Sequence, residues 1–581
     1  MEAPRPSRSS VVRKALVFGA LLAVGAGNAQ DLEQIGKKDP FTIRGGFGGS
    51  LTAYGTDLTD PRQVPFTWSI NGRMEIGIYG LQLPFSFVIS EKERDFRQPF
   101  NQYGISPRYK WVKAHLGHRT MHFSELTMSG QRFFGAGIEL DPGKFRFAAM
   151  YGKLRREVFA DTNTTAVVEP AYDRDGWAVR LGVGKQSSHV DLILFRAADR
   201  YDSAQVNAGK YGAVQPEENI VLGTDVAIQL AKGLQFELDA AASLNNVGTV
   251  PQAREGEGSE LSNDFDSPLF NVDQRSRRGT AVRTGLSYNI KGVTISGKYD
   301  RIDPLFRTLG NYYFLTDIEN YRGSIAWGMF KQKLRTSVSL GVQTNDLAQA
   351  YAVRTKRTIG SASVGYNSGN AYSLNLSYSN FEADLRSTYD AAGSDTLRLR
   401  QVAQSASLTQ NLRFRNKEQE RTRSFDLNIS YQSFYTEATE TQPEQRTGSY
   451  TGSIGYRIQL GKRHFSWGLR ITGSLFGLAD DQRLKYGFST NVRKGFFGDK
   501  LGTNARFSFY RNQSSAGDSY SLVAGGGLDL RVRRVHRFGL GLNYNSRSIT
   551  SADDLGQYQV SAQLTYGMTI EPRKKKSPNG K

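Results

Sequence analysis

The chain has 581 residues, with 75 Lys and Arg against 55 Asp and Glu, a net charge of +20 and no Cys. This excludes disulfides, thiolate metal centres and cysteine nucleophiles, while the basic excess suits anionic lipid, polysaccharide or nucleic acid as a neighbour. The mean hydropathy of -0.48 looks soluble, but a barrel with a wet interior also averages polar.

Arg5, Arg8, Arg13 and Lys14 open the chain, an apolar segment follows over 15–26, and Gly27-Asn28-Ala29 forms a small-x-small site. This is the pattern of a secretory signal over 1–29. Its removal leaves 71 basic and 54 acidic residues, a net +17, and export makes nucleic acid the least fitting partner. Residues 30–40 then read as a short periplasmic segment with no room for a plug domain. Beyond the signal no run of about 20 apolar residues occurs, so no helical span is expected.

From Phe41 onward the pattern is that of strands, predicted at 41–55, 66–79, 81–91, 107–116, 119–127, 132–140, 144–156, 173–184, 187–197, 218–230, 233–245, 278–290 and 293–302. They continue at 316–329, 333–344, 355–367, 371–383, 397–414, 421–436, 446–460, 463–476, 483–494, 500–511, 518–532, 535–546 and 555–570. The count is about 26, or 24 should 119–140 hold fewer. Short connections such as Gly80, Lys291-Gly292 and Gly461-Lys462 alternate with long ones such as 92–106, 157–172 and 246–277. That alternation describes the two rims of an outer-membrane barrel, with short turns in the periplasm and long loops outside. An even count puts both termini in the periplasm.

The faces of the strands agree with this reading. Over 278–290, Val282, Leu286, Tyr288 and Ile290 alternate with Arg283, Gly285, Ser287 and Asn289, and a turn at Lys291-Gly292 sets Arg283 opposite Asp300. In 447–478, Tyr456, Phe465 and Trp467 fall on the apolar face, where they are expected to form an aromatic girdle near a periplasmic turn. Arg457 and Arg470 fall on the polar face. A two-residue turn at Gly461-Lys462 pairs Ile458 with Phe465 and Tyr456 with Trp467. Arg283, Asp300, Arg322, Arg335, Arg457 and Arg470 are accordingly expected in the lumen. There they would set solute selectivity or, since Glu237, Asp239 and Asp529 share the polar faces, pair across strands. Two stretches break the alternation. The run Leu192-Ile193-Leu194-Phe195 and residues 145–151 are apolar on both faces, which requires either a register drift or something packed inside the barrel.

No nucleophile elbow, Walker loop or zinc signature occurs, so no enzyme, cofactor or metal role is expected. His115, His118 and His122 straddle an expected turn with no carboxylate between them. His464 and Ser466 flank Phe465 beside an expected turn, and His536 stands alone. Asn263-Asp264-Phe265-Asp266 matches no calcium-loop spacing. Arg573-Lys574-Lys575-Lys576 forms a basic periplasmic tail within 571–581.

The stretch Gln98-Pro99-Phe100-Asn101-Gln102-Tyr103-Gly104-Ile105-Ser106-Pro107-Arg108-Tyr109-Lys110-Trp111 is distinctive. With Pro84-Phe85-Ser86-Phe87 before it and Gly135-Ala136-Gly137-Ile138-Glu139-Leu140-Asp141-Pro142-Gly143 after it, it resembles large outer-membrane barrels of Bacteroidota and relatives. The resemblance covers about residues 41–245 and implies location and fold, with no residue role. The expectation is therefore an all-β chain: one antiparallel up-and-down transmembrane barrel over 41–570, set in outer-membrane lipid. It would act as a pore or translocation channel, gated by in-folded loops such as 246–277 or by a second protein. The alternative is a platform for a protein partner at the extracellular loops or the periplasmic rim.

Overall fold

The computed structural model describes residues 41–58, 63–91, 101–159, 170–201, 214–248, 276–350, 353–369, 371–387, 399–438, 443–478, 481–515, 517–533, 535–549 and 556–570. The signal, the 30–40 segment, the basic tail, the Asn263–Asp266 cluster and most of 92–106 and 246–277 lie outside the described residues.

Long strands form wherever the period-two pattern runs uninterrupted, because each then has one apolar face to bury and one polar face to wet. They are β1 (Phe41–Thr56), β2 (Phe66–Ile78), β3 (Leu81–Ser90), β4 (Gln102–Ile105, resumed at Arg108–Tyr109), β5 (Val112–Thr120), β6 (Arg132–Leu140) and β7 (Phe145–Arg155). Next come β8 (Asp173–Lys185), β9 (Ser188–Arg200), β10 (Glu217–Ala231), β11 (Leu234–Val247), β12 (Arg277–Ile290), β13 (Val293–Ile302), β14 (Ile318–Met329) and β15 (Leu334–Asn345). The remainder are β16 (Val353–Asn367), β17 (Tyr372–Ser387), β18 (Leu399–Asn416), β19 (Arg421–Thr436), β20 (Gln445–Leu460), β21 (Phe465–Leu478), β22 (Asp481–Phe496), β23 (Leu501–Ser514), β24 (Gly517–Val532), β25 (His536–Ile549) and β26 (Gln557–Ile570).

Each strand pairs antiparallel with the next, and the ring closes where β1 pairs β26, from Gly45 opposite Ile570 to Thr56 opposite Gln559. The fold is a closed antiparallel barrel of 26 strands, as the alternation predicts. Strands about 4.8 Å apart and tilted by about 40° give such a ring a circumference of about 160 Å.

One rim carries only turns. At Tyr79-Gly80 and Lys291-Gly292 both residues have positive φ (45° and 90°, 47° and 86°), a turn geometry whose twist matches that of the strands it joins. The other rim carries the long connections, apart from the brief ones between β21 and β22 and between β23 and β24.

Large apolar side chains stand half-exposed on one face of the wall, among them Leu181, Leu192, Leu286, Leu340, Tyr450, Ile454, Ile471 and Leu564. In a closed ring this is the outer, lipid-facing surface.

Three expectations are corrected. Residues 107–116 are not one strand: the chain reverses at Lys110-Trp111, between β4 and β5. Residues 119–127 are not a strand: β5 ends at Thr120, and 121–131 turns into the barrel. The turn between β20 and β21 is a four-residue 3-10 turn closing on His464 in the left-handed region (φ 46°), not a two-residue one. Leu460 therefore faces Phe465, Ile458 faces Trp467 and Tyr456 faces Leu469. A shift of two residues keeps every side chain on its face, so the face assignments of this hairpin are unchanged.

Candidate functional site in the barrel lumen

Among the described residues, the inner wall divides into a covered arc and a bare arc. The covered arc runs from β6 to β13. Its inward residues include Phe133, Met150, Leu154, Ile193, Phe195 and Val221, each at most 3% exposed. Two long-rim connections, 121–131 and 303–317, fold in and cover them with Met121, Phe123, Leu126, Met128, Phe306 and Leu309. This is why Leu192-Ile193-Leu194-Phe195 is apolar on both faces: Leu192 faces outward, while Ile193 and Phe195 lie under the in-folded segments. Fully burying a side chain of this size contributes about 1.5–3 kcal/mol.

The two segments are also fastened to each other and to the wall. Met128-Ser129 pairs parallel with Gly310-Asn311. The Ser129 N–H donates to Asn311 Oδ1 (2.6 Å), and Asn311 Nδ2 donates to the Glu125 carbonyl (2.7 Å). Wall residue Asn219 donates to the Arg307 carbonyl (2.9 Å) and accepts from the Leu309 N–H (3.1 Å). Asp239 accepts the Leu126 N–H at 3.1 Å. Close approach requires glycine in the wall. A Cβ at Gly223 would overlap Thr127, and one at Gly279 would overlap the backbone of Phe306.

Charge networks border this apolar patch on both sides. Toward the long-loop rim, Arg174 donates to Asp199 through Nε (2.6 Å) and Nη2 (2.9 Å) and to Glu217 (2.9 Å), and Arg155 also reaches Asp199. Tyr172 is fully buried beside them, and burial raises its phenol above the ordinary value. Toward the turn rim, His189, Asp191 and Asp225 bring ligand atoms within 4.8 Å of one another. Asp191 is fully buried against Arg146 (2.8 Å) and Arg180 (3.7 Å), so guanidinium groups already balance the carboxylates that a cation would need. Below the in-folded turn, Glu125, Asp225, Glu237, Asp239, Arg283 and Lys298 line a cavity of about 450 Å³.

The expected lumenal charges are distributed unevenly. Arg283 does lie opposite Asp300 in the register, but its guanidinium turns to Glu125 (3.8 Å), while Asp300 accepts from Asn320 (3.0 Å). Arg470 pairs with Asp426 at 2.6 Å. Arg322, Arg335 and Arg457 form no ion pair with a described residue. Tyr456 sits on the outer face between Phe425 (ring centroids 4.9 Å) and Trp467 (6.2 Å), and Trp467 Nε1 donates to Thr490. Phe465, also on the outer face, lies next to the turn.

The histidines are dispersed. His115 and His118 lie within β5 on opposite faces rather than across a turn. His115 is buried, with Nδ1 at 3.2 Å from Ser106 Oγ and Nε2 at 2.7 Å from Glu139. It ties the break in β4 to β6. His118 packs its ring against Tyr103 and Phe134, and His122 opens the first in-folded segment beside Ser129. His536 is not isolated: its Nδ1 lies 2.8 Å from Tyr566 Oη.

The bare arc runs from β14 round to β1–β3, and a row of hydroxyls that starts near the turn-rim ends of β12 and β13 and crosses it has no signal in any one strand. Ser296 lies opposite Ser324, Ser324 opposite Ser339, Ser339 opposite Ser361, Ser361 opposite Ser379, and Ser379 opposite Ser405. Ser287 extends this row at one end, and Gln432 and Ser449 extend it at the other. Hydroxyl pairs bond across it at 2.7 Å (Ser296–Ser324), 2.8 Å (Ser339–Ser361) and 2.7 Å (Ser379–Ser405). A second row lies beside it, with Ser337–Ser363 at 2.7 Å, Ser377–Ser407 at 2.6 Å and Thr451–Ser474 at 3.0 Å. No single strand shows such a row, because its neighbouring members are 9 to 28 residues apart in the chain and only the register aligns them.

No family model and no curated protein matches the chain. Among solved structures it is similar to the translocation pore of the P pilus usher PapC, at 11% identity over 91% of this chain and 100% of that one, with a TM-score of 0.35. It is also similar to the FrpB iron transporter from Neisseria meningitidis (11% identity, 94% and 83% covered, TM-score 0.35) and to Pseudomonas aeruginosa OccK3 (8%, 91% and 95%, 0.29). Likeness at this level transfers no residue role.

Proposed function

We propose that the chain is an outer-membrane pore, with the turn rim and both termini in the periplasm and the long loops outside. The observation that carries this reading is the two-sidedness of the closed wall. Half-exposed Leu, Ile and Tyr side chains ring the outside, while hydroxyl, amide and charged groups line the inside. A barrel of 26 strands is wide enough to hold an aqueous lumen. Among the described residues, the in-folded segments cover only the arc from β6 to β13. They act as a fixed constriction, and solute passes along the bare arc. Arg322, Arg335 and Arg457, having no described acidic partner, give the passage a modest preference for anions.

Purified full-length protein in planar bilayers is expected to show large conductance steps with weak anion selectivity. Triple substitution of Arg322, Arg335 and Arg457 by Ala is expected to lower the anion-to-cation permeability ratio. Persistent silence of protein shown by protease protection to be inserted would rule out the pore.

A further inference from the structure

We infer that the bare arc carries a binding track for a neutral oligosaccharide, climbing the inner wall from one rim to the other. The inference rests on the lumen being open to solutes, as the pore reading holds.

Paired residues in a sheet lie along a line perpendicular to the strands, and in a barrel the strands are tilted, so such a line climbs as it passes round the wall. The seryl row shows the climb directly. Ser287 stands three residues from the turn-rim end of β12 at Ile290, whereas Ser449 stands eleven residues from the turn-rim end of β20 at Leu460. Eight residues correspond to about 27 Å along the strands, or about 20 Å of height at a tilt of about 40°, most of a barrel's apolar band. Over nine strands the row holds eight serines and one glutamine and no charge.

In each bonded serine pair one hydroxyl donates to the other, whose own proton stays free, so every pair offers the lumen a donor as well as acceptor lone pairs. The bonded pairs on β13–β14, β15–β16 and β17–β18 repeat this offer about every 9.6 Å, twice the strand spacing. A chain of polyhydroxylated rings answers with donors and acceptors of its own. No member of the row is charged, and the nearest same-face charges, Lys298 and Arg322, stand beside its lower end only, so an ionic chain would find no counter-charge repeating along it.

A second observation lies at the upper end of the track. Phe381, Phe434 and Phe476 face the lumen there, 38%, 42% and 38% exposed. They border a recess of about 400 Å³ together with Ser379, Ser405 and Gln432. Aromatic rings left half in water beside hydroxyl and amide groups suit a pyranose, whose C–H face stacks on a ring while its edge hydroxyls bond to the polar neighbours. A hydrocarbon ligand would leave the serines without partners, and a charged one would gain nothing from the phenylalanines.

The test is isothermal titration of the full-length protein in detergent with maltohexaose as probe, and with the hexamer of galacturonate as the charged counterpart. Saturable binding of maltohexaose is expected, insensitive to salt. The Phe434→Ala/Phe476→Ala double variant should weaken it at least about tenfold. Ser339→Val/Ser379→Val should also weaken it, which keeps the test usable if the aromatic variant does not fold. Absence of saturable maltohexaose binding, affinity unchanged in both variants, or binding of the galacturonate hexamer alone overturns the track. Calorimetry needs no through-conduction, so the two readings fail separately. Conductance without sugar binding overturns the track and leaves the pore. Sugar binding by a protein that never conducts overturns the pore and leaves the track as a lumenal binding face.

Discussion

At the residue scale, the covered arc depends on charges that cannot be removed singly. Asp199 has no exposed side-chain surface and is held by Arg174 and Arg155. Replacing Arg174 by Ala strands much of that negative charge, and breaking a buried pair in this way costs about 3–5 kcal/mol. Urea titration of the refolded protein in lipid should show the loss, and Arg174→Lys should recover only part of it because one ammonium cannot make the same fork of bonds. His115 is a milder case. Its ring joins Ser106 to Glu139, and Glu139 keeps Lys113 at 2.9 Å when the ring is gone. His115→Ala should therefore cost about 1–3 kcal/mol, read in the same titration. A change that left stability untouched would show that this clasp contributes nothing.

At the scale of elements, strand and in-folded segment obey different rules. A strand is judged by its outer face. Ile471 is 61% exposed near the middle of β21, so Ile471→Arg puts a charge where lipid is expected and should destabilise the barrel by about 2–4 kcal/mol. Substituting Arg at Thr472, one position on and facing inward, should cost far less. An in-folded segment is judged by how closely it can lie on the wall. Gly279→Val places a branched side chain against the Phe306 backbone and should unseat 303–317 while β12 and β13 still pair. The measured consequence should be a larger, noisier conductance with unchanged heat-modifiability of the folded band on a gel. Equal conductance in variant and parent would mean that 303–317 is no constriction.

At the scale of the whole molecule, the ring combines two kinds of lumenal surface. One arc is filled like a small globular core, with apolar side chains capped at each end by charge networks. The other is a bare sheet of hydroxyls and amides. Among the described residues, this fill narrows the barrel from one side only. Because the fill is tied to the wall by buried contacts rather than lying loose, the narrowing is a fixed part of the fold.

The sequence by itself determined the strands, their outer faces and the existence of two unlike rims. Period-two alternation over long segments has one physical solution, and turn residues such as Lys291-Gly292 fix where a chain reverses. It also signalled that something packs inside near Phe195, since no lipid-facing strand needs a second apolar face. It did not say what. Residues 119–127 alternate well enough to pass for a strand, and only contact with 303–317, some 180 residues away, turns 121–131 inward. The fate of Arg283 was likewise settled by Glu125, which no local pattern places beside it. The seryl rows were invisible for the same reason. Each strand contributes one or two serines with no local meaning, and register and tilt, properties of the closed sheet alone, assemble them into a line that crosses the wall.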